Sequence, residues 1–225
     1  MTIKKVVGFG DSWMYGDELD DATREQDCFL GQLGQHYNVP VENYGINGSS
    51  LQSAIYTFLW WLEQESNPSE CLVLVGLTSS YRFSHYDHNR TSPNLDHIQT
   101  GPADKLVHSA WPLHNFTNEF QQLIKLQTVL ACGDEWKRLN YWQTVLFFDG
   151  ISARHHIPLV QFNIMPDYTG IKNLPTLTWP NFDLKTWMYQ NYPECCLTGG
   201  HPNKQGHHLI TQRLIPETNH AIITA

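Results

Sequence analysis

Five consecutive apolar residues, Cys71-Leu72-Val73-Leu74-Val75, constrain the fold of this 225-residue chain more than any other feature. A run that short and apolar at every position suits a parallel strand buried on both faces, which requires helices on both sides of its sheet. Three further runs can join it. Ile3-Lys4-Lys5-Val6-Val7-Gly8-Phe9 reads as a first strand ending at Gly10. Val39-Pro40-Val41-Glu42-Asn43-Tyr44 is a short extended segment closed by Gly45, and Pro158-Leu159-Val160-Gln161-Phe162-Asn163-Ile164 is a fourth strand. Helical spacing lies between them. It covers residues 25–37, and residues 50–65, where apolar side chains recur at 51, 54, 55, 58, 59 and 62. Ser49 or Ser50 caps the second of these and Asn67-Pro68 stops it. Helical spacing returns over 118–132 and 136–155, and a closing helix is predicted over 204–215. Strands separated by helices predict βαβ units with right-handed crossovers. The expected architecture is α/β: one domain over residues 1–225, a three-layer α/β/α sandwich around a mainly parallel central sheet. Two long irregular stretches, near 81–116 and 165–196, interrupt the pattern, and loops of that length usually build sites or lids.

Composition narrows the function. Lys and Arg number 14 against 22 Asp and Glu, a net charge of −8, and the longest basic run is Lys4-Lys5. Nucleic-acid sites need clustered cations, so nucleic acid is not expected as a partner. No stretch approaches the roughly 20 apolar residues of a membrane span, so no membrane partner is expected either. The five cysteines (28, 71, 132, 195 and 196) form no C-x-x-C pair and are odd in number, which suits thiols in a reducing compartment. The apolar stretch at the N-terminus is too short for a signal peptide, and a cytoplasmic location is expected. Adjacent histidines such as His155-His156 and His207-His208 diverge on a helix rather than share a ligand direction. His85, His88 and His97, with Asp87 and Asp96, have no recognised metal-ligand spacing, so neither a metal nor a cofactor is expected. The absence of G-x-G-x-x-G after the first strand, and of a Walker A pattern, argues against a nucleotide binder.

In open parallel sheets the reactive groups gather at the carboxyl ends of the strands. That rule selects Gly10-Asp11-Ser12, residues 43–48 and residues 76–80, and the loop holding His201 reaches the same rim. A serine needs a base to remove its proton during attack, and His201 is the base this topology offers Ser12. Serine early and histidine late is also the chain order of several α/β hydrolases. Asp11 reads as a structural hydrogen-bonder in a tight turn.

Four ordered blocks carry a resemblance. Gly10-Asp11-Ser12, Asn43-Tyr44-Gly45-Ile46-Asn47-Gly48, Val75-Gly76-Leu77-Thr78-Ser79 and Gly200-His201-Pro202-Asn203 resemble the blocks of the SGNH (GDSL-type) hydrolases. The resemblance implies Ser–His hydrolysis of esters, often acetyl esters on carbohydrates, without a metal. It implies Ser12 as nucleophile and, through its N–H, first oxyanion donor. It implies Gly48 as second donor and His201 as base. Two positions depart from the pattern. Thr78 stands where the family carries an Asn amide as third oxyanion donor, so its hydroxyl is the candidate for that role. Thr198 stands where the family carries the Asp that orients the histidine; Thr198, a backbone carbonyl, Glu194, Asp183 or Asp167 could take that part. The expected activity is cleavage of a small acyl ester, such as a carbohydrate O-acetyl ester, by a Ser–His dyad. The alternative is a decayed scaffold acting as a binding or structural module. Arg82, in Thr78-Ser79-Ser80-Tyr81-Arg82-Phe83, is placed either to hold an anionic part of a substrate or to form a surface ion pair. Trp179, Trp187, Tyr189 and Tyr192 suit either sugar stacking or an apolar cover.

Overall fold

The computed structural model describes residues 2–86, 106–108, 121–123, 125–126, 133–165 and 174–225. The strands are β1 (Lys5–Gly10), β2 (Val41–Gly45), β3 (Cys71–Leu77), β4 (Ser84–Tyr86), β5 (Leu106–His108) and β6 (Leu159–Asn163). Four of them form one parallel sheet in the order β2-β1-β3-β6, while β4 and β5 make a separate antiparallel pair. Val6 lies opposite Val41 and Leu72, and Val73 opposite Leu159.

The two-residue period of the strands sorts their side chains into two cores. Val6, Leu72, Leu74, Val160 and Phe162 pack with Phe29, Leu30 and Leu33 of α3 (Phe29–Tyr37). Ile210 and Leu214 of the last helix, α7 (Lys204–Thr224), complete this layer. On the opposite face Val7, Phe9, Val73, Val75 and Leu159 meet Leu51, Phe58 and Trp61 of α4 (Leu51–Gln64). Tyr141, Val145 and Phe148 of α5 (Asp134–His155) lie there too. Every residue of β3 is buried, as its unbroken apolar run requires. The result is the expected α/β/α layering.

Besides the β4–β5 pair, which lies in the first stretch read as irregular, three elements differ from expectation. The segment 25–37 is two helices, α2 (Arg24–Asp27) and α3, because Cys28 is extended and its thiol takes the N-cap position, accepting from the Gly31 N–H at 3.4 Å. Helix α7 does not stop before Pro216 but runs on to Thr224. Proline removes one helical hydrogen bond. The continuing turns repay the loss by burying Thr218 fully, with its hydroxyl 2.6 Å from that of Tyr37, and by packing Ala221 and Ile222 on the core. The late irregular stretch contains α6 (Leu184–Asn191), and Leu177 and Asp183 form parallel bridges with Gln161 and Asn163, covering the outer edge of β6. The helix expected over 118–132 lies largely outside the described residues. No described helix is long and apolar enough to cross a membrane.

Candidate active site

Directly after β1, Asp11 caps a one-turn helix, α1 (Ser12–Tyr15), accepting from the Trp13 N–H at 3.1 Å. Gly16 closes the turn in the left-handed region, and the N–H groups of both Gly16 and Asp17 return to the Ser12 carbonyl. Asn43 of β2 fixes the turn from the side, its amide donating to the Met14 carbonyl at 2.9 Å. Ser12 is thereby held, nearly buried, at the carboxyl end of the sheet.

The loop before α7 brings His201 to it, with Nε2 2.9 Å from the Ser12 Oγ. The other ring nitrogen, Nδ1, lies 2.7 Å from an oxygen of Glu18. A carboxylate only accepts, so Nδ1 carries the hydrogen and Nε2 is left to accept from the serine hydroxyl. Glu18 also accepts from the backbone N–H groups of Gly199 at 2.8 Å and His201 at 3.2 Å. Partial burial pushes the Glu18 carboxyl upward, but the bonds from the His201 ring and these two N–H groups outweigh it and hold the carboxyl below its ordinary range. Glu18 sits at φ +65°, a left-handed conformation that side-chain-bearing residues seldom adopt and that accumulates at functional sites. The facing loop makes room for Glu18 with Gly199. A Cβ at Gly199 would meet the Glu18 carboxylate at 2.6 Å, and Gly200 is at φ +90°.

The residue that orients His201 is therefore Glu18, which sequence reasoning missed, and not Thr198, which is exposed. Of the other residues considered, Asp183 caps α6 through the Thr186 N–H, and Glu194 accepts through its carbonyl from Asn203. Asp167 lies outside the described residues. The available signal was Gly16-Asp17-Glu18 itself, a helix-stopping glycine followed by two carboxylates, close behind the serine.

Gly48 lies in the turn after β2 at φ +75°. Among the described residues, the N–H groups of Ser12 and Gly48 meet no hydrogen-bond acceptor, which leaves both for a ligand. Thr78 does not suit the third-donor role. Its hydroxyl donates to Asp11 Oδ2 at 2.6 Å because that carboxylate is fully buried and needs donors. Arg82 completes the cluster, with Nη1 3.1 Å from the same oxygen and 2.9 Å from the Thr78 hydroxyl. Arg82 is thus the counter-charge of Asp11.

The late aromatics form a cover rather than a cleft. Trp179, Phe182, Trp187 and Tyr192 pack on the core, and the Arg213 guanidinium lies 4.8, 4.0 and 5.1 Å from the first three rings. Tyr189 is exposed and donates to the Gly200 carbonyl at 3.2 Å. Among the described residues no three His, Cys, Asp or Glu side chains gather as a metal would require. His88, His97, Asp87 and Asp96, and the side chain of His85, are outside what is described.

The architecture and this site define a class: an open α/β/α sheet with a serine, a histidine and a carboxylate in hydrogen-bond sequence at its strand ends. Two solved structures similar to the chain are described as lipolytic proteins of the G-D-S-L family. One, from Veillonella parvula, is 13% identical, with 95% of this chain and 97% of that chain covered and a TM-score of 0.42. A psychrotrophic esterase of Pseudoalteromonas is 13% identical, with 95% of each chain covered and a TM-score of 0.47. An α/β hydrolase enzyme from the metagenome of Lake Arreo is 13% identical, with 98% of each covered and a TM-score of 0.47. No protein-family model and no curated protein matches the sequence.

Proposed function

We propose that the chain is a serine ester hydrolase working through Ser12, His201 and Glu18. One observation carries the reading: the unbroken sequence from Ser12 Oγ to His201 Nε2 at 2.9 Å and from His201 Nδ1 to Glu18 at 2.7 Å. In it Ser12 Oγ bonds to the acyl carbon while its proton passes to Nε2, and the carbonyl π-pair becomes an oxyanion facing the N–H groups of Ser12 and Gly48. Glu18 stabilises the imidazolium that forms. Collapse breaks the bond to the leaving oxygen, which takes the proton from Nε2. Water, deprotonated by the same nitrogen, then releases the acid and restores the serine. A carbohydrate O-acetyl ester is the substrate suggested by the block resemblance, and the cytoplasm the suggested location.

The test is labelling by a fluorophosphonate probe, mapped by peptide mass spectrometry. An adduct is expected on Ser12, absent in Ser12→Ala and at least about 10²-fold slower in His201→Ala. Hydrolysis of acetylated sugars is expected to vanish in Ser12→Ala at unchanged melting temperature; undiminished turnover in that variant would end the reading. Thr198→Ala is expected to stay within about threefold of wild type, since the residue is exposed and the orienting bond comes from Glu18. A hundredfold loss there would return the orienting role to the threonine.

The turning of Thr78 toward Asp11 favours a second reading, a non-catalytic module, because one missing oxyanion donor costs roughly 10²–10³ in rate. Glycan binding that survives Ser12→Ala, without hydrolysis of any acetylated ligand, would support it.

A further inference from the structure

The catalytic histidine has a second carboxylate beside it. Asp17 Oδ2 lies 3.8 Å from His201 Nε2, the nitrogen that faces Ser12, whereas Glu18 holds the opposite side of the ring. The position of Asp17 is built rather than incidental. Its N–H is fixed on the Ser12 carbonyl at 2.9 Å, and its Oδ2 accepts from the Asn47 amide at 2.7 Å, one residue before Gly48. That partner is neutral, and among the described residues no Lys or Arg pairs with Asp17. The nearby Arg82 is already matched to Asp11. The side chain keeps a quarter of its surface in solvent (26%), so a molecule at the mouth of the site can reach it.

On the hydrolase reading above, the leaving oxygen must come within about 3 Å of Nε2 to receive its proton, and so within roughly 7 Å of the Asp17 carboxylate. A substituent one or two carbons beyond that oxygen falls into the field of a carboxylate that, among the described residues, no Lys or Arg pairs. We propose that Asp17 is the specificity-determining residue of the leaving-group side and selects esters of alcohols that carry a positive charge next to the ester oxygen. Amino alcohols and amino sugars with a free ammonium group are such leaving groups. An alcohol carrying a carboxylate or phosphate there is repelled. The acyl side has no part in this selection.

Acetylcholine and its uncharged isostere 3,3-dimethylbutyl acetate differ at one atom, nitrogen for carbon, and the quaternary centre precludes acyl migration. The ratio of their kcat/KM values isolates the charge. A preference of about tenfold for the charged ester is expected in the wild-type chain, the size of one partly screened charge pair. It should fall to within about twofold of unity in Asp17→Asn and invert in Asp17→Lys, with melting temperatures recorded to confirm folding. Turnover of both esters at a ratio near one in the wild type overturns the proposal and leaves the hydrolase reading standing. So does an equal loss on both esters in Asp17→Asn, which would make Asp17 a partner of His201 alone. Failure to hydrolyse either ester, together with no probe adduct on Ser12, overturns both.

Discussion

On the proposed hydrolase reading, replacing Glu18 with Gln is expected to lower kcat by about 10³–10⁴-fold on any ester tested, without loss of folded structure. The amide is nearly the same shape as the carboxylate, but its NH₂ group can donate to Nδ1. The hydrogen on His201 then moves to Nε2, the nitrogen that must accept from Ser12, and the base is disabled in place. The imidazolium also loses its counter-charge. Steady-state kinetics on an aryl acetate, with the melting temperature recorded alongside, give the result directly. Glu18→Asp should recover part of the rate, since an aspartate tolerates the left-handed backbone and keeps the charge. A Gln variant within tenfold of wild type would remove Glu18 from the mechanism.

The second large effect is on stability. His207 is fully buried, stacked on Phe29 at 5.6 Å, and its Nδ1 accepts from the Phe29 N–H at 3.2 Å, satisfying the first donor of α3. Burial, with a smaller push from the His201 charge, lowers its pKa to about 3. The unfolded chain protonates this residue near pH 6.5, the folded one only near pH 3. Between those values the unfolded state holds the extra proton, so stability falls as pH falls, by about 1.4 kcal/mol per unit and on the order of 4–5 kcal/mol in all. That is comparable to the whole stability of many domains. Urea unfolding at pH 7, 5 and 4 measures the slope. His207→Gln keeps an acceptor for Phe29 and does not titrate, so its slope should be shallower by one proton. Parallel curves for the two proteins would show that His207 is not the cause.

The sheet was legible because buried strands leave a simple trace: Cys71–Leu77 is apolar throughout, and each of its neighbours on the sheet ends in Gly or Asn at the rim. Ser50 as cap of α4 followed from a short local pattern, and Ser12 facing His201 from the places of both residues at the strand ends of a βαβ pattern. What could not be read depended on tertiary packing. The break at Cys28 rests on a thiol acting as a cap, a role that serine and asparagine ordinarily fill. The passage of α7 through Pro216 rests on the burial of Thr218 against Tyr37, far away in sequence. Thr78 was the candidate for the third oxyanion donor, but its place is decided by a buried carboxylate and by Arg82, for which an ion pair stood beside a substrate contact. Glu18 escaped because the block resemblance directs attention to residues just before the histidine. The carboxylate comes instead from just behind the serine, through a backbone conformation that no residue-type preference predicts for glutamate.

Serine and carboxylate share one eight-residue segment, 11–18, whereas the histidine arrives from a loop nearly two hundred residues later. Two members of the site therefore come from a single turn at the end of β1, held from the side by Asn43 of β2. The third comes from the loop before α7, a helix that packs on α3, and this loop presents its Gly199 and His201 N–H groups to Glu18. The same carboxylate that orients the imidazole is thus the latch that receives the arriving loop. On the proposed reading, hydrolysis therefore requires the loop before α7 to lie against the turn after β1, and a chain in which that loop is displaced carries a serine with no base beside it.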